Sequence, residues 1–433
     1  MIIKKLKSLN WIKLLIWIGA INLLIFSALV AYSFLHIEKP DPGRDAFYAA
    51  DTKPIPDDQN IAIALAGLNA PAGSDIIEHG RFVINTFNKI DNKEQAKKIV
   101  GTKGALEFVG DTGALDCWLD DAHIGTYKTC ADAAQVKTLI ASNDELLQRY
   151  THLNTLKHWQ GNLEFSGQLV LNLNRLLAAQ IKLDVDESRP ELAYQKWREN
   201  FLFINRAIRQ ESTMIDRAIF LVTESLNLNA LEYCLFKSPK MAVSYSEELN
   251  TLLKASGLVR YNLKGAMRAE YALFNKSLFT QTETMKGFQP EYFRNRLYRF
   301  QLDYLNRSQW APATFDKSRT EMNTQYGLNM YLFNFDWINP RHSVISKSMT
   351  GGFANSFELV KAMHSHNAKI KLLNLSLKIR QQKVANADIQ TFLNEAGVDF
   401  DNPFTNRPMR YDDTKKVIFS DNPTNNEKVE VRL

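Results

Sequence analysis

The sequence predicts a mainly α-helical protein: a single N-terminal transmembrane helix, then a helical bundle or stacked helical hairpins, then a small C-terminal β-hairpin. Three observations predict it. An uncharged apolar run of membrane length stands near the N-terminus; apolar residues recur at steps of three and four through the later segments; and short alternating segments flank a polar loop near the C-terminus. At 433 residues, 45% hydrophobic and 23% charged, the chain has globular composition. It is long enough for one large or two modest domains.

The anchor comes first. From Leu14 to Leu35 there are 22 residues without a charge, which at ~1.5 Å per residue span roughly 33 Å, enough for a bilayer core. Lys4, Lys5, Lys7 and Lys13 precede the run, whereas Glu38, Lys39, Asp41, Arg44 and Asp45 follow it. That bias keeps the N-terminus cytoplasmic and sends the body across a bacterial inner membrane into the periplasm. The competing reading is a cleaved signal peptide with Ala31-Tyr32-Ser33 as its processing site, but the apolar run is longer than a signal core of ~7–15 residues. The net charge of +6 is partly explained by the basic tip, so charge gives no reason to expect nucleic acid.

Beyond the anchor, residues 36–59 carry Pro40, Pro42, Pro54 and Pro56 among charges and read as an extended stalk. Residues 60–68 read as a short buried helix, stopped by the turn-forming Asn69-Ala70-Pro71-Ala72-Gly73. Residues 92–129 mix glycine, aspartate and two cysteines without a lasting period, which predicts irregular structure with short strands. Tyr194, Trp197, Phe201, Ile204 and Ile208 form one helical stripe, and 214–236 is apolar on more than one face, as in a central helix.

Asn355-Ser356-Phe357-Glu358 is a capping pattern that opens a long helix over 358–380, striped by Leu359, Met363, His366, Ile370, Leu373 and Leu377. A shorter helix over 388–396 stops at Gly397. Residues 409–411 and 417–419 form the hairpin, and the polar tail from Asp421 is expected to be mobile. The organisation is thus a basic tip (1–13), the transmembrane helix (14–35), the stalk (36–59), a helical body with an irregular disulfide loop (60–285), and an aromatic-rich segment with the long helix and hairpin (286–433).

Several stretches follow a recognisable order: NIAIALAGLNAPAGSD at 60–75, cysteines at 117 and 130, LLQRYTHL at 146–153, Asn339-Pro340, and NPFTNRPMRYD at 402–412. In these the chain resembles an uncharacterised family of single-pass, membrane-anchored proteobacterial proteins. The resemblance implies a location and a shared fold, and carries no activity. The chain departs from the pattern where Asn406 stands for an expected glycine, a change tolerable because asparagine also enters the left-handed region. The asparagine-rich stretch before Asn339 survives only as Thr320-Glu321-Met322-Asn323.

Cys117 and Cys130 lie 13 positions apart in a glycine- and aspartate-containing loop. In an oxidising compartment a disulfide between them would stabilise by ~3 kcal/mol. The rival is a metal site adding Asp120, Asp121 and His123, but that set is short of nitrogen and sulfur donors, so no metal or cofactor is expected. Cys234 reads as a core thiol.

Glu224 and Glu270 are the candidate catalytic groups, because a carboxyl in apolar surroundings has a raised pKa and paired acids cleave glycosidic bonds. The bland reading is that Arg217, seven residues before Glu224, neutralises it as a buried ion pair. His364 and His366 point about 200° apart on a helix and cannot share an ion. Gly351-Gly352 reads as a turn rather than an anion site. Residues 288–337 hold 13 aromatic residues; there Phe293, Leu297, Phe300 and Tyr304 make a core stripe, while Arg294, Arg299 and Arg307 are candidates to contact a glycan, peptide or lipid headgroup.

The sequence contains no nucleophile elbow, Cys-x-x-Cys, His-Glu-x-x-His or Walker pattern. The leading expectation is a membrane-tethered periplasmic scaffold or binding protein, held in the lipid bilayer by residues 14–35 and engaging an envelope protein or glycan. The alternatives are a cell-envelope hydrolase acting through its buried carboxylates, and a secretion or pilus machinery subunit.

Overall fold

The computed structural model describes residues 39–49, 55–90, 92–101, 104–115, 131–159, 167–254, 257–275, 290–310, 312–325, 356–422 and 428–433. The expected transmembrane helix at 14–35, Cys117 and Cys130, Gly351-Gly352 and Asn339-Pro340 lie outside them. No helix among the described residues is long and apolar enough to cross a membrane.

The described chain is mainly helical. In order the helices are α1 (Arg44–Tyr48), α2 (Ile61–Ala66), α3 (Ile76–Lys89), α4 (Lys93–Gly101), α5 (Ala133–Ser142), α6 (Asp144–His152), α7 (Gly167–Asp186), α8 (Pro190–Arg209), α9 (Met214–Lys237), α10 (Pro239–Ser244), α11 (Ser246–Leu252), α12 (Leu263–Phe274), α13 (Pro290–Ser308), α14 (Pro312–Gln325), α15 (Ser356–Gln381) and α16 (Ile389–Glu395). Strands β1 (Arg410–Asp412), β2 (Val417–Asp421) and β3 (Lys428–Arg432) form one antiparallel sheet in that order. The residues divide into two compact units. One draws on the chain before residue 50, on 274–307 and on 315–357; the other takes the rest.

In the first unit the segment read as an extended stalk instead contains α1. Its Arg44 is buried, pairs with Glu291 and donates to Asn295 Oδ1 at 3.2 Å. Phe47 meets the edge of Tyr298 at 5.4 Å between ring centres. These partners on α13, of which Asn295 and Tyr298 are buried, explain why a proline-flanked stretch curls into a helix rather than standing in solvent. The stripe expected on α13 is present at Leu297, Phe300 and Tyr304, all buried. Tyr304 lies 5.8 Å from Phe315 and 5.6 Å from Phe357, both edge-on.

The second unit opens with α2, all six residues of which are buried, started by Asn60 accepting from Ala62 N at 3.0 Å. Asp75 caps α3 in the same way, accepting from Ile77 N and Glu78 N at 2.7 and 2.9 Å. The two helices nearly touch through glycine: a Cβ on Gly80 would stand 1.9 Å from the Ile63 carbonyl oxygen, and one on Gly67 1.8 Å from that of Ile76. Their linking turn is held by buried Arg149 of α6, which donates to the carbonyls of Ala70 at 2.5 Å and Pro71 at 2.8 Å, and to Glu145 at 2.7 Å. The stretches 60–75 and 146–153 are therefore one structural device. Among the described residues of 92–115 there is no strand: Lys93-Glu-Gln-Ala-Lys-Lys is good helix-forming composition, and Asn92 caps α4 by accepting from Glu94 N at 3.0 Å.

The core of this unit is α7, α8 and α9, which pack pairwise on one another. The stripe Tyr194, Trp197, Phe201, Ile204 and Ile208 of α8 is at most 2% exposed, and the Trp197 indole donates to the Asn227 carbonyl of α9 at 3.1 Å. The 26-residue α15 is buried on most faces and is tied to α9 by Arg380 donating to the Leu235 carbonyl at 2.7 Å. Gly397 ends the short segment after α16 with a positive φ of 92°.

The sheet corrects the reading of the tail. Residues 428–432 are a third strand rather than a mobile end, paired to β2 with Val431 opposite Ile418. The alternation Val429, Val431 carries it, and Val431 is 1% exposed. Side chains close both outer edges. Gln390 brackets β1, accepting from Tyr411 N at 2.9 Å and donating to the Met409 carbonyl at 3.2 Å. At β3 the Lys369–Glu232 pair does the same, Lys369 donating to the Glu430 carbonyl at 2.8 Å and Glu232 accepting from Arg432 N at 3.0 Å. The turn before β1 is built by Asn402, which accepts from Phe404 N at 2.8 Å and donates to the Asp421 carbonyl at 3.0 Å. Asn406, at φ 52°, occupies the left-handed conformation expected of the glycine it replaces.

Candidate functional site

Within the second unit a half-open cleft of about 690 Å³ lies among α9, α15 and β3. Helical spacing places Ser225, Leu228 and Asn229 of α9 on it, one turn apart. From α15 come Ser365, His366 and Lys369 among others, and from the sheet Lys428 and Glu430. Behind His366 stands a buried polar cluster. Glu224, fully buried, accepts from Arg260, from Tyr261 Oη at 3.3 Å and from His366 Nδ1 at 2.9 Å. Arg260 also donates to Asn205 Oδ1 at 2.6 Å.

The electrostatics follow from these partners. Burial pushes the Glu224 carboxyl up, but Arg260, His366 and Tyr261 outweigh it and hold it below the usual carboxylate range. An ionised carboxylate only accepts, so Nδ1 of His366 carries the hydrogen and Nε2 is left as the ring's basic nitrogen. Tyr261 is raised well above the ordinary phenol value, first by burial and then by Glu224.

The expected pairing of Glu224 with Arg217 is not the one found. Arg217 is fully buried and donates to the Gln210 carbonyl at 2.7 Å, while its Nε and Nη1 have no partner among the described residues. Burial pulls it down to about 9, opposed by Asp216. The cation on Glu224 is Arg260, 36 residues away in sequence. Glu270 does different work: its carboxylate accepts from Met214 N at 2.8 Å and so satisfies the start of α9. Neither glutamate is among the described residues that line the cleft. Glu224 and Glu270 are thus not a pair of carboxylates flanking one substrate bond in that cleft.

Glu270 gives a pH prediction. Burial raises its folded-state pKa, the Met214 N–H opposes this, and Asp216 adds to it. A carboxyl raised in the folded state costs nothing below its unfolded value of about 4.3, and destabilises increasingly as pH climbs toward the folded value. Glu270→Gln keeps an oxygen for Met214 N and removes the charge. It is expected to raise the thermal midpoint at pH 7 and to leave it unchanged at pH 3.5, measured by calorimetry at both.

The arginines proposed for binding are engaged. Arg294 donates to Glu291 at 2.7 Å, and Arg307 to Asp303 and Glu321 at 2.8 Å each. Arg299, the one with a mostly exposed side chain (56%), lies 3.4 Å from Asp41. These contacts make all three arginines parts of ion-pair networks. His364 and His366 do not converge: His364 is buried and pulled down to about 4 by burial, against a backbone contact from Ser308. Cys234 is a core thiol, pushed up to about 12 by burial, which outweighs nearby Lys182.

Sequence reasoning missed Arg260 and Tyr261 altogether. They follow Leu258-Val259 in a single 3-10 turn, Gly257–Tyr261, whose length gives no periodic signal. It also placed His366 on a core stripe without its partner, which stands 142 residues away. Compared with known protein families, with curated proteins and with solved structures, the chain matches none.

Proposed function

We propose that the chain is a membrane-tethered binding protein of the bacterial envelope, held in the inner membrane by residues 14–35 with its body in the periplasm. The ligand site is the cleft among α9, α15 and β3. The cleft carries this reading: its volume of about 690 Å³ falls in the range of small-ligand sites, roughly 300–1,000 Å³. Its walls offer hydroxyl, amide, imidazole and ammonium groups from three elements, a set suited to a polar, hydroxylated ligand such as an envelope glycan. The tether rests on the uncharged run and its lysine-rich leading flank.

Grouping with the proteobacterial family that the chain resembles is part of the same proposal. It is supported by the definite structural work done by the resembling stretches at 60–75, 146–153 and 402–412.

Topology is tested by reporters at the C-terminus. Alkaline phosphatase fused there is expected to be active and green fluorescent protein to be dark; the reverse pair removes the tether and the compartment together. The site is tested by titrating full-length chain in mild detergent with cell-wall disaccharide-peptides. Saturable heat that disappears in Asn229→Trp, where the indole fills the cleft, supports it. Heat unchanged by that substitution moves the ligand elsewhere.

A further inference from the structure

Burying an ion pair is costly, and the Glu224–Arg260 pair is more elaborate than α9 needs for packing. Glu224 is held by three donors, and the third is the ring of a residue that opens onto the cleft. His366 keeps 13% of its side chain exposed, and among the described residues its Nε2 has no partner. Such a carboxylate orients an imidazole and stabilises the imidazolium that forms when Nε2 takes a proton. We propose that His366 is a general base in this cleft and that the protein hydrolyses short-chain carboxylic esters of a hydroxylated carrier. This rests on the cleft being the ligand site.

The substrate class follows from the walls. The apolar groups on them are Leu228, Ala362 and Val429, enough to cover a small acyl group but not to bury a long chain. Ser225 and Asn229 are suited to carrier hydroxyls. Ser365 precedes His366 by one residue, about 100° round the helix, so the nucleophile is water rather than that serine.

In the first step Nε2 takes a proton from water as the water oxygen bonds the acyl carbon, and the carbonyl pair moves onto its oxygen. When that pair returns, the ester C–O bond breaks and the departing alkoxide recovers the proton from Nε2. The products are the carboxylic acid and the alcohol, with His366 restored. Lys428, a cation of the cleft wall whose ammonium lies 4.3 Å from the centre of the Phe419 ring, is assigned to the transient oxyanion. Glu224 touches no substrate and is a positioning residue.

The test uses full-length chain in mild detergent, with 4-nitrophenyl acetate and an O-acetylated cell-wall disaccharide as probes. His366→Asn keeps a donor for Glu224 and is expected to lower kcat/KM by about 10²- to 10⁴-fold. The pH profile of wild-type kcat/KM should differ from that of His366→Asn. The charged and titratable groups around His366 are Glu224 from α9, Arg260 and Tyr261 from the 257–261 turn, Lys428 and Glu430 from β3, and Glu358, Lys361 and Lys369 on its own helix.

Glu224→Gln should depress kcat and change the profile while leaving disaccharide binding intact. Should it fail to fold because Arg260 loses its partner, the ring tautomer replaces it. In ¹⁵N-histidine-labelled wild-type chain, neutral His366 is expected to carry its hydrogen on Nδ1, and a hydrogen on Nε2 overturns the proposal. Equal ester turnover by wild type and His366→Asn also overturns it. If disaccharide titration still gives heat in that case, the binding reading stands without the chemistry; if it gives none, both fall.

Discussion

Arg149→Leu is expected to lower the free energy of unfolding by about 3–6 kcal/mol, taking ~1.5–3 kcal/mol for each of the two short charge-assisted bonds lost. Arg149 is 8% exposed, and its guanidinium reaches from α6 into the 68–74 turn, where it donates to Ala70 and Pro71 at 2.5 and 2.8 Å. Leucine fills part of the space, leaves the Ala70 carbonyl without its arginine donor, and leaves Pro71 only the Ser74 N–H at 3.0 Å. Lysine is expected to recover only part of the loss, because an ammonium cannot present two planar donors to neighbouring carbonyls. Urea denaturation of full-length chain checks both. A loss under about 1 kcal/mol, the value of one ordinary hydrogen bond, would mean that the arginine does not hold the turn.

Gly80→Ala is expected to cost about 3 kcal/mol, the upper end of overpacking penalties. Its new Cβ would meet the Ile63 carbonyl oxygen at 1.9 Å, and a backbone atom cannot swing aside as a side-chain tip does. The helices α2 and α3 must then separate, and both are packed, α2 with every residue buried. Gly67→Ala presses on the reciprocal contact with Ile76. The double variant should therefore cost clearly less than the sum, since either substitution already forces the separation. Additive losses would show that the glycines act independently.

What could be read in advance followed the range of the interactions. Local periodic signals located α8 and α15, because Tyr194, Trp197 and Phe201, or Leu359, Met363 and Ile370, report one face of one helix, while α9 was legible as an apolar run covering more than one face. Asn406 was interpretable for the same reason, since left-handed tolerance belongs to a single residue. Partnerships were not visible. Arg149 is a charged residue in a polar stretch until residues 68–74 close around it, and Glu224 could be assigned Arg217 only because helical spacing was the sole guide. The third strand escaped because Lys428-Val429-Glu430-Val431-Arg432 is charged at every second position. Such a pattern reads as solvated until β2 and α9 supply the covered side. The α1 segment escaped likewise, its partners Glu291 and Asn295 lying about 250 residues on.

The side-chain closure of the small sheet bears on what the protein can join. A three-stranded sheet normally offers two rows of unpaired amides and carbonyls to any passing extended chain, the usual start of domain swapping and fibre growth. Here Gln390 imitates a peptide group on one flank, and Lys369 with Glu232 replaces a neighbouring strand on the other. A client wishing to add itself as a fourth strand must first displace the Gln390 amide on one flank or break the Lys369–Glu232 ion pair on the other, so recruitment by strand addition is opposed at rest. Charge reversal at residue 232 would unbolt that flank, and the protein would then be expected to self-associate.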